Sequence, residues 1–150
     1  ACSLWCWTTG CLAMFSATDT RHCWLCPSDR WMSGLGPIGH VEEQSVRVQR
    51  EIEAVRAAHG IVFVINSDPA YEALNLAEFS KLTALRHGLL GVPIVFQVNM
   101  RDAKNALSME WVRANFQAAQ CAYVESIAIV GQGPMKALGL LLDLIDGRTR

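Results

Sequence analysis

Hydrophobic and polar positions in this chain follow two alternating rhythms. Between Val41 and Ala58 the apolar residues Val41, Val48, Ile52 and Val55 recur at helical spacing, with Glu and Arg on the other face. Gly60 is expected to stop that helix. Ile61 to Ile65 then reads IVFVI, a continuous β-branched and aromatic run. Runs of this kind are strands buried on both faces, which implies a parallel sheet. Asn66, Ser67, Asp68 and Pro69 form its exit loop. Tyr71, Leu74, Glu78, Phe79, Leu82 and Leu85 make the next helical stripe, ended at Gly88 and Gly91. Val92 to Val98 is the second strand. Ser108 caps a helix carrying Trp111, Val112, Asn115 and Phe116. Cys121 to Val130 holds the third strand. Pro134 opens a last helix, with Met135, Leu138, Leu141, Leu142 and Ile145 expected inward.

From residue 41 the order is therefore α, β, α, β, α, β, α. Alternation at this spacing builds right-handed βαβ units and a doubly wound, mostly parallel sheet with helices on both faces. Ahead of it, residues 33–40, SGLGPIGH, are loop-like. Residues 1–32 hold four of the five tryptophans and few charges. There, Cys11 to Ala17 and Arg21 to Cys26 are expected to form a further strand pair. At 150 residues the whole is one domain, 1–150, able to bury roughly 70% of its unfolded surface.

Composition narrows the function classes. With 51% hydrophobic and 18% charged residues the chain is globular, not disordered. A net charge of -1 gives no electrostatic footprint for nucleic acid. No apolar run reaches the length of a membrane span, and no basic leader precedes the apolar start, so a cytoplasmic protein is expected. The chain begins at Ala1 without an initiator Met, and we expect a fragment or a processed form. Five of the six cysteines fall in the first 26 residues, and Cys23 and Cys26 form a CxxC. A second CxxC, or a His pair at zinc spacing, is missing. The plainer reading is small core residues.

The strand ends carry the candidate chemistry, because ligands of open α/β sheets sit outside the carboxyl ends of the strands. Three ends are polar: Asn66 to Asp68, Asn99 to Asp102, and Glu125 to Ala128 with Gly131 and Gly133 beyond. The segment VPIVFQVNMRD resembles the base-recognition strand of Ras-like small GTPases, with motif NKxD. Asn99, Arg101 and Asp102 stand where that motif has its Asn, its variable residue and its Asp. YVESIAIVGQGPMKAL resembles the strand, loop and helix of the second base-recognition motif, ETSAK, with Glu125, Ala128 and Gln132-Gly133 in place. The nearest type is the bacterial gliding-motility polarity GTPase. The resemblance covers about residues 41 to 147 and implies a G-domain-like fold, incomplete at its N-terminus. It implies a guanine-nucleotide-binding switch using GTP or GDP with Mg²⁺, and regulatory or effector proteins as partners. In such a site the Asp102 carboxylate accepts guanine N1–H and the 2-amino group. Asn99 bridges N7 and neighbouring loops, and the Ala128 N–H faces O6.

The chain departs from the pattern in three places. Met100 stands where the family has Lys; it can cover a base but cannot tie to a phosphate loop. No GxxxxGK[ST] occurs anywhere. The DxxG expected after Arg21 to Cys26 is replaced by Cys26-Pro27-Ser28-Asp29. GTP hydrolysis by this chain is therefore expected to be undetectable, since phosphoryl transfer depends on Mg²⁺, a phosphate cradle and a placed water. No catalytic set can be assigned, as His22, His40, His59 and His87 are scattered without a nucleophile at recognisable spacing. The alternative reading is a pseudo-GTPase, a protein–protein interaction module that binds no nucleotide. In that reading Asn99 and Asp102 only turn the chain.

Overall fold

β-branched and aromatic runs form the strands where the pattern puts them. The computed structural model describes the backbone of residues 3–8 and 11–16, residues 49, 52, 53 and 55–85, and residues 91–147. Its strands are β1 (Ser3–Thr8), β2 (Cys11–Ser16), β3 (Gly60–Asn66), β4 (Ile94–Asn99) and β5 (Cys121–Glu125). Its helices are α1 (Glu72–Leu85), α2 (Met109–Asn115) and α3 (Pro134–Ile145). Before β3 the chain is helical at Gln49, Ile52, Glu53 and 55–57, as the 41–58 pattern requires.

The sheet order is β2-β1-β3-β4-β5. β1, β3, β4 and β5 run parallel, and β2 returns antiparallel along β1 at the edge. The fold class is thus α/β with a mostly parallel sheet. The edge hairpin adds a strand, Ser3–Thr8, outside the expected pair. Cys11–Ser16 is a strand, as expected, and it pairs with Ser3–Thr8 upstream. Pairing Thr8 with Cys11 leaves only Thr9 and Gly10 for the link, the commonest hairpin length. Arg21 to Cys26, the loop at 33–40 and the CxxC lie outside the described residues.

Alternation along the strands sorts the two faces. Ile61, Phe63 and Ile65 of β3 and Ile94, Phe96 and Val98 of β4 bury against Val55, Ala58, Phe79, Leu82, Val112 and Phe116. The rings of Phe63, Phe79, Phe96 and Phe116 meet with centroids 5.2 to 6.1 Å apart, all of them edge-on or tilted. Such pairs add about 0.5–1.5 kcal/mol each beyond area burial. The opposite face, Val62, Val95 and Val124, is covered by Ala137 and Leu141 of α3.

Two inward stripes are rotated from expectation. On α1 the buried residues are Asn75, Glu78, Phe79 and Leu82, while Tyr71 and Leu74 stand exposed. Asn75 is drawn inward by hydrogen bonds to the end of β3. On α3 the seam runs through Ala137 and Leu141, with Met135 and Leu142 exposed. Ala137 and Gly60 set this close approach. A Cβ on Gly60 would lie 2.9 Å from the δ-carbons of both Leu141 and Ile145. Gly60 is therefore the first residue of β3, kept small for α3, and not the stop of the preceding helix.

Candidate functional site

The carboxyl ends of β3, β4 and β5 stand level, because Asn66 pairs with Asn99 and Val98 with Glu125. Hydrogen bonding continues past the strands: the Ser67 N–H donates to Asn99 O at 3.0 Å, and the Ser126 N–H to Val98 O at 2.8 Å. The three polar exits form one rim.

At the β3 exit, buried Asn75 reads the strand end as a backbone would. Its Oδ1 accepts from the Asn66 N–H at 3.2 Å and its Nδ2 donates to Asn66 O at 2.8 Å. Asn66 Oδ1 in turn accepts from the Asp68 N–H, and Asp68 Oδ1 caps the short turn Pro69–Tyr71 by accepting from the Ala70 N–H. These bonds commit Asn66 and Asp68 to shaping the loop. Ser67 is fully buried, and its hydroxyl has no hydrogen-bond partner among the described residues.

At the β4 and β5 exits a short polar chain runs through the core wall. Buried Gln97 donates from Nε2 to Ser126 Oγ at 3.2 Å. The Ser126 hydroxyl can donate to Asn99 Oδ1 at 3.1 Å. Asn99 Oδ1 also accepts from the Ala128 N–H at 2.9 Å. The two motif segments, 27 and 29 residues apart at these contacts, therefore meet at one atom. Beyond β5 the chain folds back, with Ile127 bridging Gln132 around the turn Ala128–Val130. Gly133 makes the return possible: its φ is +101°, and a Cβ there would lie 2.3 Å from Ser126 Cβ.

Met100 is the sole non-glycine residue with positive φ among the described residues, at 60°. That conformation costs an L-residue roughly 1–2 kcal/mol and turns the chain so that Asp102 faces solvent. Arg101 holds this turn. Its Nε donates to Glu125 Oε2 at 2.7 Å, a guanidinium nitrogen to Leu107 O at 2.6 Å, and its N–H to Ser126 O at 3.3 Å. Hydrogen bonds from the Glu110 backbone and Ser108 hold the Glu110 carboxyl below its usual range, with Arg113 and, least, Arg101 adding to it. Asp102 is exposed, and its carboxylate makes no hydrogen bond or ion pair with any described residue.

The residues singled out from the sequence, Asn99, Met100, Asp102 and Ala128, thus share one rim. There the Ala128 N–H donates to Asn99 Oδ1. Sequence reasoning misses Gln97, Ser126 and the Arg101–Glu125 pair as parts of the site. Gln97 carries the available signal, as a polar residue inside an apolar strand needs a buried partner. Beside the rim, Ile129, Val130 and Met135 are exposed at 91%, 70% and 75%. Among the described residues no group of His, Cys, Asp or Glu could hold a metal ion, and no helix is long and apolar enough to cross a membrane.

No protein-family model matches this chain, and no curated protein matches its sequence.

Proposed function

We propose that the rim at the β4 and β5 ends is a guanine-recognition site, and that the chain is a small-GTPase-like, nucleotide-binding regulatory protein of the cytoplasm. The observation that carries this reading is the meeting of Asn99 with Ser126 and Ala128, beside an unengaged Asp102 carboxylate. Guanine presents N1–H and its 2-amino group side by side, and one carboxylate accepts both. Adenine presents the reverse pattern at those edges. It would leave the Asp102 carboxylate and the Ala128 N–H unpaired beneath the bound base, at about 1–3 kcal/mol each. Asn99 Oδ1 is an amide oxygen held 2.9 Å from the Ala128 N–H, where guanine O6, another carbonyl-type acceptor, would dock. Base binding on this reading exchanges one acceptor for the other, and the exposed Met100 side chain covers the base.

The reading concerns binding rather than hydrolysis. GTP or GDP with Mg²⁺ is the ligand, and regulatory or effector proteins are the partners. Calorimetric titration with GDP and Mg²⁺, with ADP as control, tests it. Heat with GDP alone, lost in Asp102→Ala, is the expected result. A second reading is an interaction module that binds no nucleotide. It is favoured by the Ala128 N–H being already satisfied and by the exposed Ile129, Val130 and Met135. Silence toward both nucleotides from a folded chain would select it.

A further inference from the structure

Arg101 occupies the variable position between Asn99 and Asp102, the one place in that segment where base recognition asks for no particular side chain. Its side chain is nevertheless anchored at two points of the rim. It is only 20% exposed, although it belongs to a surface turn. Its Nε binds Glu125 at the end of β5, and its guanidinium reaches Leu107 O on the descending limb of its own loop. The Leu107 N–H in turn donates to Ser67 O at the end of β3, at 2.8 Å. The links Ser67–Leu107–Arg101–Glu125 therefore tie three strand ends together beneath the loop that presents Asp102.

Asp102 has no such tie of its own. Only a hydrogen bond from the Ala103 N–H to Met100 O, at 3.1 Å, closes the turn around it. The turn is entered through Met100 at positive φ, a conformation that a loop keeps only when its surroundings over-determine it. A carboxylate that must meet two adjacent donors has to be placed to within about half an ångström. Charge-assisted bonds to a planar guanidinium, anchored at two points, supply that rigidity, which a lysine could not.

We propose that Arg101 is a positioning residue that fixes Asp102 for two-point recognition of a base, with Glu125 as its anchor. The proposal rests on the guanine-site reading above. It assigns specificity to a residue that touches no ligand. The effect belongs to the contact that Asp102 makes with the 2-amino group, so inosine diphosphate, which lacks that group, is the informative probe.

The test is calorimetric titration of the full chain with GDP and with inosine diphosphate, both with Mg²⁺, for wild type, Arg101→Ala, Arg101→Lys and Glu125→Gln. Wild type is expected to prefer GDP by about tenfold or more, the loss of one good hydrogen bond. Arg101→Ala is expected to bring the two affinities within about twofold of each other, mainly by weakening GDP. Arg101→Lys should restore little, and Glu125→Gln should lie between, with an Arg101→Ala/Glu125→Gln double variant, made in addition, no worse than Arg101→Ala. A purely structural role would lower the melting temperature and leave the GDP-to-inosine ratio intact. That result, or Arg101→Lys restoring the full ratio, overturns the proposal while leaving the base site standing. A wild type silent to GDP overturns both together. Should Arg101→Ala fail to fold, Glu125→Gln decides. It keeps the Arg101 stem and the Leu107 bond, and an unchanged ratio there overturns the proposal.

Discussion

Replacing Gly133 by alanine places a methyl group where the chain has no room for it. The added Cβ would sit 2.3 Å from Ser126 Cβ, 2.8 Å from Ser126 Cα and 2.9 Å from Glu125 O. Two of those three neighbours are backbone atoms at the end of β5, so no side-chain rotation relieves the contact. The backbone at Gly133, φ 101° and ψ -38°, is itself strained for an L-residue by about 1–3 kcal/mol. Pushing the loop off β5 adds about 1–3 kcal/mol more. The sum, about 4 kcal/mol, is a large share of the roughly 5–15 kcal/mol available to a domain. At about 2–4 °C per kcal/mol it should lower the melting temperature by roughly 8–16 °C. Gly139 supplies the control. It lies inside α3, where an added methyl would meet nothing within 4 Å, so Gly139→Ala should stabilise by about 0.5–1 kcal/mol. Urea unfolding of both variants reads the difference. Gly133→Ala within about 1 kcal/mol of wild type would refute the packing argument. It would also refute the placement of Ser126, and hence of the donors that converge on Asn99.

Three further outcomes follow from particular contacts. Asn75→Ala leaves the Asn66 N–H and C=O without their buried partner and should cost about 2–4 kcal/mol in urea unfolding; a loss below about 1 kcal/mol would remove Asn75 as the clamp of β3. Ser67→Ala removes a buried hydroxyl that has no partner among the described residues, so it should be neutral or stabilising by up to about 1 kcal/mol, and a clear loss of stability would show that the hydroxyl is bonded. Burial, reinforced by Cys121, pushes the Tyr123 phenol from 10.0 up to about 12 while its hydroxyl donates to Phe116 O at 2.6 Å. Because the folded state holds this proton more tightly, the stabilisation is complete below pH 10.0 and is lost as pH rises toward about 12. Tyr123→Phe should cost about 1 kcal/mol at neutral pH and flatten that alkaline decline, which a pH series of unfolding midpoints would show.

The regular part of the fold is legible because its strands are apolar runs separated by helical segments, of which Pro134–Ile145 is clearly amphipathic. The cap at Ser108 and the first-turn Pro134 are legible from residue type alone, and both stand in the structure. The rotated stripes of α1 and α3 are not. They depend on Asn75 being drawn in by a strand end and on Gly60 admitting Leu141, contacts between residues distant in sequence. The hairpin is half legible: an apolar run such as Cys11–Ser16 signals a strand, but nothing in its own residues names Ser3–Thr8 as a partner. At the rim, residue types point to Asn99, Asp102 and Ala128, and chain topology brings them together. What cannot be read is the traffic of hydrogen bonds. A backbone N–H leaves no mark in a sequence when a side chain 29 positions away takes it, and Arg101 sits at the one position where no side chain is demanded.

The central claim is that the Ala128 N–H, held by Asn99 Oδ1, is the donor that a guanine base takes over. It is tested most directly by ¹⁵N–¹H NMR of the labelled chain during addition of GDP and Mg²⁺, following the Ala128 amide and the Asn99 side-chain amide. Both resonances should shift together and saturably with GDP, stay put with ADP, and stop responding to GDP in Asp102→Ala. If both stay fixed at saturating additions of GDP in a folded chain, the strand ends are a turn and a cap, and the guanine-site reading is wrong.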